Sequence, residues 1–164
     1  MPINEDPLLN LKLPLRAVSY QPKTDKGKVK MFTLNLNQYR NTHPRLLNNA
    51  KIDYKHRVLE AMEGVWEQGN PITRPVFLVF NYWAATKRKI DVSNPCSIID
   101  KFGCDAITEA GFWPDDNNDF VKGVMYWFSG VDKNDPRCDL TIYDADYIKY
   151  MLVDKGIVQC GFSH

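Results

Sequence analysis

The sequence of 164 residues lacks an excess of charge, a long apolar run and a paired cysteine motif. Its 21 basic and 20 acidic residues leave a net charge of +1, which excludes a histone-like tail protein and an acidic mimic. Nucleic-acid binding stays open, because the placement of charge matters more than its sum. No apolar stretch approaches the roughly 20 residues that a bilayer-spanning helix needs, so no membrane partner is expected.

The four cysteines show no zinc-like spacing and no C-x-x-C pair. They are Cys96, Cys104, Cys138 and Cys160. The N-terminus carries no pattern of a secretory signal. We therefore expect a soluble, cytoplasmic chain with free thiols in a reducing compartment.

The composition is that of a globular chain, with 44% hydrophobic and 25% charged residues. The length predicts a single domain over residues 1–164, in which residues 1–28 and 145–164 are possible extensions. Apolar and polar residues alternate over residues 9–20 and 29–36, which predicts a hairpin. Pro14 makes the first strand an edge strand or splits it.

Helices and further strands follow from periodicity and from turn residues. The strongest helix prediction covers residues 45–67, after a polar and basic loop at residues 37–44. A second helix is predicted to begin near Pro95, with Asn94 as its cap, and to end at Gly111. A central strand is predicted at residues 75–84, later strands at 120–128 and 140–143, and a short helix at 146–154. This order predicts an α+β fold with a single mixed β-sheet and helices packed on one face.

Residues 87–119 concentrate the side chains that could carry chemistry. They include Lys101 and six aspartates, Asp91, Asp100, Asp105, Asp115, Asp116 and Asp119. Hard cations such as Mg²⁺ prefer carboxylate oxygens, so two or three converging aspartates can hold one. Such an ion activates water and neutralises a phosphate under attack, and a lysine adds positive charge. The plain alternative is that these aspartates are helix caps and turn formers.

Helical spacing brings part of this set together. Lys101 and Asp105 fall on one stripe of the predicted second helix, where the alternative is an ordinary surface pair. A 16-residue helix is ~24 Å long, so Asp91 and Asp116 cannot share an ion if both flanking loops point away. We therefore expect the loop at residues 91–96 to fold back along the helix, with or without a later start of the helix.

The run DAITEAGFWPDD from Asp105 to Asp116 resembles the signature of RusA-type Holliday-junction resolvases of bacteria and their phages. The pattern continues upstream with a basic run at residues 87–89, Asp91-Val-Ser-Asn, and Lys101 four residues before Asp105. A polar loop at residues 37–41 also looks like one that family members carry. The close match covers about 30 residues, and a looser one covers most of residues 29–145.

The resemblance implies a RusA-like fold, metal binding by Asp91 and Asp116, and a catalytic role for these two aspartates and for Lys101. Asp115 and Asp105 are further candidate metal ligands.

The chain departs from the family pattern in two places. Ser93 stands at the position of a second early aspartate, and residues 94–105 are longer by about one helical turn. Asp105, Asp100 or a water molecule could take the place of the missing carboxylate.

The resemblance also implies a homodimer that uses Mg²⁺, for which Mn²⁺ can substitute. It would nick two strands of a four-way DNA junction symmetrically, in recombination and repair, in a bacterial cell and with a phage gene as a possible source. A two-fold dimer fits the approximate two-fold symmetry of a junction. The alternatives are a junction-binding module without catalysis and a nuclease for other branched DNA.

Basic side chains supply candidate DNA contacts. They are Arg40, Arg45, Lys87, Arg88 and Lys89. Phosphate contacts do not read sequence, so junction shape is expected to dominate recognition. For Lys51 and Lys55, an ordinary solvated charge is as good an interpretation as a DNA contact.

Aromatic residues at the strands are predicted to be core or dimer interface. These are Tyr82, Trp83, Tyr126, Trp127 and Phe128. For Phe112 and Trp113, helix-end packing is favoured over a wedge into unstacked bases.

Overall fold

The structure is a computed structural model that describes residues 5–158. Four strands form a mixed sheet in the order β1-β6-β4-β5, and β2 and β3 form a separate two-stranded sheet. The elements are β1 (Leu9–Leu13), β2 (Arg16–Tyr20), β3 (Lys30–Thr33), α1 (Leu36–Asn41), α2 (Pro44–Met62), β4 (Val76–Ala84), α3 (Ser93–Ala110), β5 (Val121–Val131), β6 (Arg137–Asp144) and α4 (Ala145–Asp154). The predicted α+β class with a mixed sheet is confirmed, although the hairpin lies outside the main sheet.

Pro14 divides the first predicted strand in two. β2 pairs with β3 as the predicted hairpin, whereas β1 pairs antiparallel with β6 at the edge of the main sheet. A proline has no backbone N–H, so a ladder cannot continue through it unchanged. Leu9, Leu11 and Leu13 are buried in the core. Residues 9–13, which the sequence left as part of a possible extension, therefore belong to the main sheet.

Helix boundaries differ from the prediction at three places. Residues 37–44 are not simply a loop, because Asn35 caps the short helix α1 by accepting from the Gln38 backbone N–H. α2 ends at Met62 and not at residue 67, and Gly64 follows with φ 78°.

The start of α3 was also predicted wrongly, while its end was predicted correctly. α3 begins at Ser93 without a side-chain cap, since the Asn94 side chain accepts instead from the Leu36 backbone N–H at 2.9 Å. Gly111 ends the helix in the left-handed conformation, with φ 84°. The amide of Asn94 thus ties α3 to the start of α1.

The order β4-α3-β5 is a crossover unit that determines where the acidic residues lie. β4 and β5 pair in parallel, so α3 must carry the chain from the end of β4 back to the start of β5. Loop 85–92 therefore lies at the carboxyl ends of β4 and β5, and loop 111–120 lies at their amino ends. β4 also pairs antiparallel with β6, which makes it the central strand that the sequence predicted.

Aromatic and aliphatic side chains of α2, α3 and one face of the sheet form the core. Phe102 of α3 packs at ring-centroid distances of 5.8 Å from Phe32 and 5.9 Å from Tyr54. Cys96, Cys104 and Cys138 are buried free thiols, while Cys160 lies outside the described residues. None of the helices described within residues 5–158 is long and apolar enough to cross a bilayer.

Candidate functional site

α3 presents Lys101 and Asp105 to solvent on neighbouring turns. Ile99, Phe102 and Ala106 on the adjoining stripe are buried, as their helical spacing predicts. Among the described residues, the Lys101 ammonium forms no ion pair. It is therefore a positive charge available to a ligand, one turn away from a carboxylate.

The acidic loop, residues 114–119, follows a buried aromatic anchor. Phe112 and Trp113 are 0% and 1% exposed, and the Trp113 indole donates to Thr108 Oγ1 at 2.7 Å. Helix-end packing is confirmed for both residues, and their burial removes them as a wedge into DNA. Asp115 then accepts from the Asp116 backbone N–H at 2.8 Å, as turn-forming aspartates do.

Asp116 lies among like charges at the carboxyl end of α3. Its pKa is raised by partial desolvation, by a hydrogen bond with Asp115, and by the negative charges of Asp105 and Asp115. Two mutually repelling carboxylates disfavour ionisation of both, and a bound cation would relieve that repulsion. Asp105 and Asp115 are thus the predicted ligands that act electrostatically on Asp116 at this end of α3.

Asp100 is held against β5 by a hydrogen bond. Its carboxylate accepts from the Tyr126 hydroxyl at 2.6 Å and from the Cys104 thiol at 3.1 Å. Burial and the bond to Asp100 raise the pKa of the Tyr126 phenol. Asp100, one candidate for the missing ligand, is therefore engaged in holding β5 against α3.

Asp91 lies immediately before α3 and starts its first turn. Its Oδ1 accepts from the Ser93 hydroxyl at 2.8 Å and from the Ser93 backbone N–H at 3.1 Å, while its carbonyl accepts from the Asn94 backbone N–H. The expectation that this segment folds back along the helix, with or without a later start of the helix, is wrong. The helix begins two residues after Asp91, so no loop is available to fold back.

The crossover separates Asp91 from the acidic loop. α3 has 18 residues and spans about 27 Å, with Asp91 before its first turn and Asp116 after its last. Within residues 5–158, no three His, Cys, Asp or Glu side chains are placed to hold one metal ion together. A single copy of the chain therefore leaves the two aspartates that the family pattern pairs at opposite ends of one helix.

A basic cavity of about 740 Å³ opens beside Asp91. It lies between the β2–β3 hairpin and the loop after β4, and its cationic lining comprises Arg16, Arg57, Arg88 and Lys89. Arg16 was not singled out from the sequence, because it is 72 positions from Arg88 and no local pattern links them. The cationic lining of the cavity suits a phosphate backbone.

The remaining basic residues divide into free and engaged groups. Arg40 and Arg45 are exposed on α1 and at the start of α2. Lys55 pairs with Glu109, and the Lys51 ammonium lies 5.7 Å from the Phe102 ring centroid. The α2 lysines therefore connect α2 to α3, which favours their structural interpretation.

Comparison with protein-family models gives no match, and no curated protein matches the chain. The functional interpretation therefore depends on the residues themselves and on how the fold arranges them.

Proposed function

We propose that this chain is a Mg²⁺-dependent endonuclease that resolves four-way DNA junctions by paired nicks, as RusA-type resolvases do. The observation that carries the proposal is the electrostatic effect of Asp105 and Asp115 on Asp116, with Lys101 exposed one turn before Asp105, in the segment that resembles that family. Partial desolvation is the largest cause of the raised pKa of Asp116, and the carboxylates of Asp115 and Asp105 raise it further, as expected of neighbouring acids.

The acidic loop and Asp105 would hold the ion. Mg²⁺ commonly binds through one or two carboxylates together with water and substrate phosphates, so Asp105 and Asp116 suit it, with Asp115 beside them. When bound, Mg²⁺ supplies charge neutralisation at the phosphate and activation of water. The Lys101 ammonium would stabilise the negative charge of the reacting phosphate or of the leaving oxygen.

Basic residues at the other end of α3 would bind the DNA backbone. Arg88 and Lys89 line the cavity together with Arg16, and Lys87 precedes them on the same loop. Contacts of this kind position a duplex without reading its bases, which suits an enzyme that recognises a branch point.

Asp116→Asn tests the assignment. The variant should lose cleavage of four-way junctions and bind them as tightly as the wild type or more tightly, because one negative charge near the phosphate is removed. Asp25→Asn, in the turn between β2 and β3, is the matched control and should cleave normally. Wild-type cleavage by Asp116→Asn would show that the site is assigned to the wrong residues.

A non-catalytic junction-binding module is the second candidate. It is favoured by the hydrogen bonds between Asp91 and Ser93 and by the distance of Asp91 from the acidic loop. Calorimetric titration with Mg²⁺, combined with a nicking assay on four-way junctions, separates the two. Metal uptake together with nicking supports the nuclease. The absence of both supports the binding module.

A further inference from the structure

A second cavity, of about 660 Å³, lies between α2 and the turn that joins β2 to β3. One wall is formed by residues 18–24 and 27, at the end of β2 and in the turn. The other wall is one side of α2, to which Arg45, Asn49, Ile52, Asp53 and His56 contribute. Within residues 5–158, this hairpin groove shares no lining residue with the basic cavity beside Asp91. The proposed nuclease function makes no use of it.

Hydrogen bonds between α2 and β2 hold the two walls of the hairpin groove together. The Asn49 amide donates to the Ser19 carbonyl at 3.1 Å, and the Asp53 carboxylate accepts from the Val18 backbone N–H at 2.7 Å. Asp53 also accepts from Arg57 Nε at 2.8 Å, so the carboxylate that lines the groove is already paired. The groove is therefore formed before a ligand arrives, which lowers the entropy cost of binding.

Positive charge is concentrated around the hairpin groove. The turn and the start of β3, residues 21–30, contain four lysines and one aspartate. The lysines are Lys23, Lys26, Lys28 and Lys30, and all four are exposed. Across the groove, α2 adds the exposed Arg45. Among the described residues, neither these lysines nor Arg45 form an ion pair. On a chain with a net charge of only +1, this cluster attracts an anionic partner to one place.

Exposed apolar side chains lie among these charges. Tyr20 and Ile52 both line the hairpin groove and are 42% and 50% exposed. Val29, just before β3, and Met31 in β3 are 46% and 43% exposed. A phosphate backbone has no apolar groups to cover such side chains, whereas the side chains of a peptide do. Their burial would add favourable free energy to the attraction between charges.

We infer that the hairpin groove is a docking site for an acidic peptide segment of another protein, one that also carries apolar side chains. Carboxylates of the peptide would pair with Lys23 and Arg45, and an apolar side chain would cover Ile52 and Tyr20. The charge of the groove selects an acidic partner, because like charges brought together in an interface are costly. The exposed apolar side chains select a peptide over a nucleic acid.

Fluorescence anisotropy with labelled six-residue peptides tests the groove without reference to nuclease activity. The probe alternates aspartate with leucine, and the full chain should bind it at low salt. Lys23→Glu should weaken binding by about tenfold, because an attraction becomes a repulsion. Ile52→Ser should weaken it by about threefold through lost apolar contact. Lys133→Glu is the matched control, since it makes the same reversal at an exposed lysine outside the groove, and it should bind as the wild type does.

Two further peptides separate the contribution of charge from that of apolar contact. A peptide that alternates aspartate with serine keeps the charge and should bind more weakly than the probe. A peptide that alternates lysine with leucine keeps the apolar side chains and should not bind. Absence of binding by the aspartate–leucine probe, or equal binding of the aspartate–serine peptide, would overturn the inference. So would equal weakening by Lys23→Glu and Lys133→Glu, with both variants folded by circular dichroism.

Nuclear magnetic resonance of the ¹⁵N-labelled chain locates the bound peptide. Titration with the aspartate–leucine probe should shift the backbone amide signals of Tyr20, Thr24 and Ile52, which line the hairpin groove. Shifts confined to residues 85–92 would place the peptide in the basic cavity and contradict the inference. Duplex DNA is the competing occupant. If DNA shifts the same three signals, and Lys23→Glu weakens its binding as much as that of the peptide, the groove is a nucleic-acid contact and the inference is wrong.

Discussion

The Tyr126 hydroxyl donates a hydrogen bond of 2.6 Å to the carboxylate of Asp100. This bond connects the middle of β5 to the centre of α3, and the thiol of Cys104 donates to the other oxygen of the same carboxylate. A partly buried carboxylate needs such donors, because removal from water disfavours its charged form. The edge strand is thus attached to the layer of helices by a polar contact as well as by packing.

Tyr126→Phe should lower the free energy of unfolding by about 1.5–3 kcal/mol, the usual range for a hydrogen bond to a charged group. Urea unfolding at a fixed protein concentration measures it. Tyr150→Phe, at a residue of α4 that is 65% exposed, is the control and should change little. Equal stability of the two variants would mean that the Asp100 contact contributes nothing.

Asp116 should impose a pH dependence on stability. Its pKa in the folded chain is raised above the ordinary value of 3.8, so between these values the folded chain holds more protons than the unfolded chain. The free energy of unfolding therefore falls as pH rises through that window. The Tm of Asp116→Asn relative to wild type should increase over the same window. A constant difference across the window would contradict the shift.

Mg²⁺ should raise the Tm of the wild type more than that of Asp116→Asn, because a ligand that binds only the folded state stabilises it. Thermal unfolding with and without saturating Mg²⁺ measures the difference. Na⁺ at matched ionic strength controls for general screening. Identical shifts in the two proteins would exclude Asp116 as a ligand.

Arg88→Ala should weaken junction binding and reduce the slope of log K against log salt by about 1, as expected for the loss of one phosphate contact. Lys26→Ala, an exposed charge in the turn after β2, should leave the slope unchanged. Fluorescence anisotropy at several salt concentrations provides both slopes. An unchanged slope for Arg88→Ala would remove this residue from the DNA interface.

The three described thiols should be unreactive while the chain is folded. Burial raises the pKa of Cys104, and a hydrogen bond with Cys96, together with burial, raises that of Cys138. In a Cys160→Ser background, a thiol reagent should therefore label Cys96, Cys104 and Cys138 only after denaturation. Fast labelling of the native chain would contradict their burial.

Local pattern was sufficient to predict most elements of this fold. The stripe that buries Ile99 and Phe102 and exposes Lys101 depends only on helical periodicity, and Gly111 ends the helix for a local conformational reason. α1 was missed because its six residues are largely polar, and its cap at Asn35 reads equally well as a turn.

The local sequence pattern could not predict that Asp91 and Asp116 lie far apart. Their separation depends on β4 and β5 being parallel, since an antiparallel pair would have left no crossover between them. The strand-helix-strand order contained a signal for parallel pairing, and with it the expectation that the two loops lie at opposite ends of these strands.

The pairing of β1 with β6 has a consequence for biosynthesis. Leu13 pairs with Cys138, so β1 cannot pair with β6 until β6 has been synthesised. At ribosomal rates of roughly 5–20 residues per second, that interval is on the order of ten seconds. Nascent chains therefore carry an unpaired, leucine-rich segment while residues 14–137 are being made, and chaperone occupancy should peak before β6 leaves the exit tunnel.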